Sequence, residues 1–111
     1  IELKCGRAAD ILKSLPADIE PFDFIFIDAD KQSYPEYLEL SLNLSHSGTL
    51  IFLDNVIRAG DIINPENHKP SIEGIRDMFK AMQSHPKILS CTALQTVGSK
   101  GHDGFALAIV K

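Results

Sequence analysis

The chain has 111 residues, of which 44% are hydrophobic and 23% are charged. This is the length of one domain and the composition of an ordinary globular protein, so a disordered tail and a collagen-like rod are excluded. The net charge of −4 argues against a basic surface for nucleic acid. No apolar run approaches the ~20 residues of a membrane-spanning helix, and no signal peptide opens the chain. We therefore expect a single domain over residues 1–111, a cytoplasmic location, and neither nucleic acid nor membrane as a partner.

The first segments alternate between strand-like and helix-like patterns. Residues 1–5 alternate apolar and polar side chains, which predicts a half-exposed strand. Residues 8–15 form a helical pattern that Pro16 ends. Phe22–Ile27 is a nearly continuous apolar run, typical of a strand buried in a parallel sheet. Because the chain opens without a methionine and inside a strand-like segment, we expect it to be part of a longer protein.

The middle of the chain repeats this alternation. Ser33-x-x-Glu36 has the spacing of a helix capping box, and the helix it opens has apolar residues at every fourth position. Residues 49–53 predict a second buried strand, which lies parallel to the first if the helix crosses between them. Residues 61–70, rich in proline and asparagine, predict a loop.

The last third predicts one helix and two strands. Ser71 is a candidate N-cap for a helix that Pro86 ends. The apolar face of this helix comprises Ile72, Ile75, Phe79 and Met82. Residues 88–97 and 105–110 predict strands joined by a glycine-rich turn. The predicted class is α/β with three layers, a mostly parallel sheet and a closing antiparallel pair.

Acidic and amide side chains follow both buried strands. The first strand leads into Asp28-Ala29-Asp30-Lys31, and the second leads into Asp54-Asn55. Ligands of open parallel sheets bind beyond the carboxyl ends of the strands. Asp28, Asp54 and the amide oxygen of Asn55 would form an all-oxygen set suited to Mg²⁺, Mn²⁺ or Ca²⁺. The structural alternative is that these residues only cap helices, and that Lys31 is a solvated surface lysine.

Other reactive side chains lack the spacing of a site. The histidines at 46, 68, 85 and 102 show no metal-ligand spacing and are predicted to lie in loops or on the surface. Cys5 and Cys91 are too few for a disulfide scaffold, so we expect small buried thiols. Residues 98–101, Gly-Ser-Lys-Gly, have the form of a nucleic-acid or phosphate loop, but their place between two strands favours a hairpin turn.

Taken together, these motifs resemble the cation-dependent O-methyltransferase family, which includes the caffeoyl-CoA O-methyltransferases and, more distantly, catechol O-methyltransferase. The resemblance covers nearly the whole chain. The residues that carry it are Phe22-Asp23-Phe24-Ile25-Phe26-Ile27-Asp28-Ala29-Asp30-Lys31, Tyr34, Tyr37, Gly48, Asp54-Asn55-Val56 and Asp103-Gly104.

The resemblance implies a Rossmann-like fold, the cofactor S-adenosylmethionine (SAM) and a divalent cation that holds a phenolic or catechol-like acceptor. Carried over by position, the metal ligands are Asp28, Asp54 and Asn55. Lys31 matches the general base, whereas Asp30 and Tyr37, together with Asp28, match residues close to SAM. The family also implies a homodimer.

The sequence departs from the family in one large respect. The glycine-rich loop and the acidic residue that hold SAM in the family have no counterpart here. Residues 1–5 match the family's third strand, which other strands separate from the one that ends at Asp28. The resemblance therefore implies that the chain is the C-terminal half of such an enzyme, unless residues 1–5 pair directly with Phe22–Ile27.

Two alternatives stay open at this point. Asp28-x-Asp30 after an apolar strand is the spacing of phosphotransferases that use an aspartate nucleophile, although Gln32 departs from their pattern. The second alternative is that the chain alone is a non-catalytic scaffold or dimerisation fragment of the methyltransferase fold, because the cofactor loop is missing.

Overall fold

The computed structural model describes residues 1–99 and 101–111. Within them the chain forms three α-helices and one four-stranded sheet. The helices are α1 (Ala8–Ser14), α2 (Tyr34–Asn43) and α3 (Pro70–Ser84), and the strands are β1 (Phe22–Ile27), β2 (Ser45–Asp54), β3 (Ile88–Gly98) and β4 (Gly101–Val110). Two 3₁₀ segments, Lys31–Ser33 and Arg58–Ile63, follow the carboxyl ends of β1 and β2.

The sheet has the strand order β1-β2-β4-β3. β1 and β2 are parallel, and the helix α2 crosses between them, as the sequence predicts. β4 is antiparallel to both β2 and β3. The α/β class with a closing antiparallel pair is therefore confirmed. The described strands form a mixed sheet with one parallel and two antiparallel pairings, so within them the sheet is not mostly parallel as predicted. β2 begins at Ser45, earlier than predicted, and its register with β1 shifts between Phe22 and Phe24.

The two faces of the sheet differ sharply in burial. One face, which includes Ile27 and Ile51, packs against α1, α2 and α3 in a single hydrophobic core. On the other face, Phe24 and Phe26 are each 53% exposed, and the Phe52 ring stacks on Phe105 with their centroids 4.6 Å apart. The described residues thus supply two of the three predicted layers, because all three helices lie on the same side.

Residues 1–5 do not form the predicted strand. They have no regular secondary structure and are exposed, and β1 pairs with β2 alone among the described strands. The alternative pairing of residues 1–5 with β1 is therefore wrong as well. An alternating pattern gives a strand only where a neighbour accepts its backbone hydrogen bonds, and here none is in place.

Both predicted N-caps are also wrong. Ser33 makes no side-chain cap hydrogen bond, because it ends a 3₁₀ turn with φ −94° and ψ 4° instead of the extended backbone that aims a capping hydroxyl. α3 begins at Pro70, so Ser71 lies inside the helix and Lys69 takes the cap position without a side-chain hydrogen bond. Proline is favoured at the first helical position because its missing N–H is not needed there.

The remaining predictions have mixed outcomes. Cys5 and Cys91 are exposed, not buried. Cys91 lies on β3, an edge strand where only Ile88 is buried. Gly98 pairs with Gly101, which supports the hairpin, although Lys100 of that turn lies outside the described residues. Among the described helices, none combines the length and the apolar character needed to cross a bilayer.

Candidate functional site

The carboxyl ends of β1 and β2 bring together the acidic residues singled out in the sequence. Ile27 lies opposite Leu53 in the parallel register. Asp28 and Asp54, the next residues, therefore leave neighbouring strands about 4.8 Å apart. Asn55 follows directly and has a left-handed backbone with φ 57°, which asparagine tolerates better than most residues. The prediction that the two motifs meet at one edge of the sheet is confirmed.

The Tyr34 hydroxyl ties the two strand ends together. Tyr34 is fully buried at the start of α2. Its hydroxyl lies 2.6 Å from the carbonyl oxygen of Asp54 and 3.3 Å from that of Ile27. It also accepts a hydrogen bond from Lys31 Nζ at 2.7 Å. Burial raises the pKa of Tyr34, so the hydroxyl stays protonated and donates to a strand-end carbonyl.

Lys31 is a buried ammonium, so the structural alternative of a solvated surface lysine is wrong. Its side chain is only 8% exposed, and Nζ donates to Asp28 Oδ1 at 2.9 Å as well as to Tyr34. Burial lowers the pKa of Lys31, but the hydrogen bonds to Tyr34 and Asp28 outweigh this effect and leave the pKa above its ordinary value. Lys31 therefore holds its proton between two acceptors.

Gly74 of α3 permits this placement, and no pattern in the sequence indicates it. A Cβ atom at Gly74 would lie 2.3 Å from the carbonyl oxygen of Lys31 and 2.6 Å from Cα of Gln32. Only glycine lets the helix approach the Lys31–Ser33 turn this closely. The position of the Lys31 backbone thus depends on packing between segments distant in the chain.

Asp30 and Tyr37 form a second hydrogen-bonded pair next to the first. Tyr37 donates to Asp30 Oδ1 at 2.6 Å. The Ser33 and Tyr37 hydroxyls lower the pKa of the Asp30 carboxyl. Tyr37 and Asp28 line a cavity of about 340 Å³ along the open edge of β1, between that strand and α1. Two of the three predicted SAM contacts therefore line one cavity, and the third, Asp30, is hydrogen-bonded to one of them.

Asp103 of β4 anchors the segment that follows Asp54. Its Oδ1 accepts hydrogen bonds from the backbone N–H groups of Ile57, Arg58 and Gly104, and its Oδ2 accepts one from Asn55 Nδ2. Burial favours a higher pKa, but these donors outweigh it and hold the pKa of Asp103 below its ordinary value. The sequence offered Asp103 only as part of the family motif, without a role.

The donor set at the strand ends fits a hard divalent cation. Asp28 and Asp54 each have one carboxylate oxygen in a hydrogen bond, and Asn55 uses its amide nitrogen. Among the described residues, each side chain thus keeps one oxygen without a hydrogen-bond partner. No three His, Cys, Asp or Glu side chains in the described residues converge as ligands. A cation here would depend on the Asn55 amide oxygen as its third protein ligand, and oxygen donors are those that Mg²⁺, Mn²⁺ and Ca²⁺ prefer.

Comparison with known proteins gives consistent matches. The sequence model of a family described as O-methyltransferase matches residues 1–108. The chain is 46% identical over its full length to a catechol O-methyltransferase of Niastella koreensis, covering 50% of that protein. It is 41% identical to a catechol O-methyltransferase of Mycobacterium tuberculosis, covering all of this chain and 49% of that protein. The chain therefore spans about half the length of these curated relatives.

A solved structure agrees with the sequence matches. An O-methyltransferase from Bacillus cereus, in complex with SAH, superimposes with a TM-score of 0.93 at 50% identity, covering 99% of this chain and 50% of that one. The phosphotransferase alternative finds no support in these matches.

Proposed function

Because this chain belongs to the O-methyltransferase family, we propose that it carries the acceptor and cation half of a SAM-dependent O-methyltransferase. The proposed reaction transfers the methyl group of SAM to a hydroxyl of a catechol-like or phenolic small molecule. The observation that supports it best is the parallel register of β1 and β2, which sets Asp28 beside Asp54 and Asn55. The names of the catechol O-methyltransferase relatives support the acceptor class.

The proposed cation ligands are Asp28, Asp54 and Asn55, and the proposed SAM contacts are Asp28, Asp30 and Tyr37. When bound, SAM supplies the methyl group and the cation stabilises the anionic form of the acceptor hydroxyl. The protein residues would hold SAM and the acceptor hydroxyl in line for the displacement. This positioning is their main contribution to the rate. A homodimer and a cytoplasmic location stay predictions from the resemblance and the sequence.

Lys31 is the proposed catalytic base, and its surroundings set a condition on that role. Nζ accepts a proton only after losing one, and its contacts with Asp28 and Tyr34 oppose that loss. We therefore expect proton transfer to Lys31 to require that Asp28 turn its charge away from the ammonium. Tyr34 remains a hydrogen-bond acceptor for Nζ throughout and keeps it next to the strand ends.

The test is methylation of catechol by the purified protein with SAM and Mg²⁺, with the product measured by mass spectrometry. We expect methylated catechol, loss of product on chelation of the cation, and a rate at least about 10–100-fold lower in Asp54→Asn, because replacing a ligand should cost no less than replacing an outer partner of a ligand. The matched control is Asp18→Asn, an identical change at an exposed position. Activity that survives both chelation and Asp54→Asn would contradict the proposed cation site.

A second candidate is that this chain alone is a non-catalytic part of the fold. The observation that favours it is the open edge of β1 beside the cavity, where no described strand pairs with β1 on that side. Calorimetric titration with SAM separates the two candidates. Binding that Mg²⁺ strengthens supports the enzyme, whereas no heat of binding at millimolar SAM supports the scaffold.

A further inference from the structure

The segment after Asp54 adopts a backbone that needs external support. Asn55, Arg58 and Ala59 all have positive φ angles, of 57°, 55° and 55°. Non-glycine residues rarely adopt this left-handed region, and three within five residues hold only where the surroundings fix them. Asp103 and Gly104 make the contacts that hold this backbone. The Gly104 carbonyl accepts a hydrogen bond from Val56 N at 3.0 Å, and Asp103 accepts hydrogen bonds from Asn55, Ile57 and Arg58.

Asp103 also determines which way the Asn55 side chain faces. An asparagine amide has an acceptor oxygen at one end and a donor NH₂ group at the other, whereas a carboxylate only accepts. The contact of 3.1 Å between Asn55 Nδ2 and Asp103 Oδ2 therefore turns the nitrogen toward Asp103 and the oxygen away from it. The reverse orientation would set two oxygens against each other.

We propose that Asp103 is a positioning residue that selects the oxygen end of the Asn55 amide for the cation. This inference rests on the proposed function, which makes Asn55 a ligand. The selection matters because an amide nitrogen has no lone pair for a hard cation and the described residues bring only two carboxylates to the site. Asp103 itself does not touch the cation.

The variant Asp103→Asn tests the selection while it keeps the shape of the side chain. The three backbone N–H groups at this position all need an acceptor, so the oxygen of the new amide stays with them. Its NH₂ group then takes the place of Oδ2 and faces the NH₂ group of Asn55. Two donors repel, and the Asn55 amide turns over, with its nitrogen toward the cation and its oxygen toward position 103.

The exchange Asn55→Asp in the Asp103→Asn background should reverse this effect. A carboxylate at position 55 accepts from the new NH₂ group with one oxygen and offers the other to the cation. The double variant has the same net charge as the wild-type protein. Asn55→Asp alone, by contrast, sets two carboxylates about 3 Å apart, a like-charge contact that raises a pKa and weakens the site.

The experiment measures Mn²⁺ affinity by electron paramagnetic resonance for the wild-type protein, Asn55→Ala, the two single variants and the double variant. We expect Asp103→Asn to weaken Mn²⁺ binding about 10–100-fold, as loss of a partner to a metal ligand does, and the double variant to recover most of that loss. Asp18→Asn controls for the change of charge. The inference would be overturned if Asp103→Asn bound Mn²⁺ as tightly as the wild-type protein, or if the double variant bound Mn²⁺ no more tightly than Asp103→Asn.

A measurement without metal separates this inference from the proposed function. Nuclear magnetic resonance of the metal-free protein reports the Asn55 side-chain NH₂ group, whose hydrogen bond to a carboxylate shifts one proton downfield. We expect that shift in the wild-type protein and its loss in Asp103→Asn. If the downfield shift is present in the wild-type protein and lost in Asp103→Asn, but neither protein binds Mn²⁺, the cation site of the proposed function is wrong while the orientation of the Asn55 amide is supported. If the NH₂ signal is unchanged in Asp103→Asn, the inference fails whatever the metal does.

Discussion

The two ends of the β1–β2 pair are each tied by a buried hydroxyl, but their charges differ. At the amino end, Thr49 is fully buried and its Oγ1 donates to the Phe22 carbonyl at 2.6 Å and accepts from His46 N at 3.0 Å. At the carboxyl end, Tyr34 has the same bridging role, and Lys31 lies buried against it. A neutral hydroxyl thus suffices to join two strands, and burying an ammonium costs free energy. The difference indicates that strand pairing does not require the charge at the carboxyl end.

At the carboxyl end, Gly74→Ala should disturb both the stability and the site. Alanine is favoured over glycine in a helix interior by about 1 kcal/mol, but the new Cβ would meet backbone atoms of the Lys31–Ser33 turn at 2.3 and 2.6 Å. Backbone cannot give way as a flexible side chain does, so we expect a net destabilisation of about 1–3 kcal/mol. Urea denaturation measures it, and Mn²⁺ binding should weaken in parallel because the Lys31 turn is displaced.

The matched control for this change is Gly98→Ala in β3. Among the described residues, nothing lies within 4 Å of a Cβ atom there, and Gly98 has no positive φ. We expect unfolding free energy and Mn²⁺ affinity close to those of the wild-type protein. Equal destabilisation by both variants would contradict the role of the α3 contact.

A paired substitution tests whether the two bridging hydroxyls differ in function. Tyr34→Phe removes the hydrogen bonds of the hydroxyl with the Asp54 carbonyl and Lys31, and Thr49→Val removes the one with the Phe22 carbonyl. Each unpaired buried group costs about 1–3 kcal/mol, so both variants should lose stability. Only Tyr34→Phe should also weaken Mn²⁺ binding, by about tenfold, because only Tyr34 touches the residues of the site.

Thermal unfolding and Mn²⁺ titration of the two variants provide the measurements. If Thr49→Val weakens Mn²⁺ binding as much as Tyr34→Phe does, the effect is one of general stability and the comparison between the two ends breaks down. The parallel pairing of β1 with β2 should persist in both variants, as judged by circular dichroism.

The fold was largely predictable because its signals are local. The apolar runs of β1 and β2 are long enough to mark strands without reference to the rest of the chain, and Pro16 and Pro86 mark where helices end. The strand predicted over residues 1–5 was wrong because a strand needs a partner strand, and the pattern within one segment does not show whether a partner is present. The predicted caps at Ser33 and Ser71 were wrong because a 3₁₀ turn before α2 and a proline at the first position of α3 set the helix boundaries instead.

The site was predictable only in part. Asp28, Asp54 and Asn55 follow strands, so topology alone brings them to one edge. The burial of Lys31 could not be foreseen, since it depends on the approach of α3 at Gly74, more than 40 residues away in the chain. The role of Asp103 likewise requires the register of β4 beside β2, which no spacing in the sequence encodes.

The smallest expected effect lies at the amino end, in the exposed pair His46 and Asp23. His46 Nε2 lies 2.8 Å from Asp23 Oδ1, and the two side chains are 43% and 95% exposed. The Asp23 carboxylate, with the Ser47 carbonyl, raises the pKa of His46 above its ordinary 6.5. A raised pKa in the folded state gives stability that is fully present below the unfolded pKa and is lost as the pH rises through the folded value.

His46→Gln should therefore remove a small stabilisation at pH 5 and almost none at pH 9, since the neutral imidazole has no charge to offer Asp23. Solvent screens a pair this exposed, so the difference in urea midpoint between wild type and variant should be small at both values. Mn²⁺ affinity should not change at either pH, because the pair lies at the opposite end of the strands from Asp28 and Asp54. A change in Mn²⁺ affinity that follows the titration of His46 would show that the two ends are coupled, and the charge at the carboxyl end could then not be treated separately.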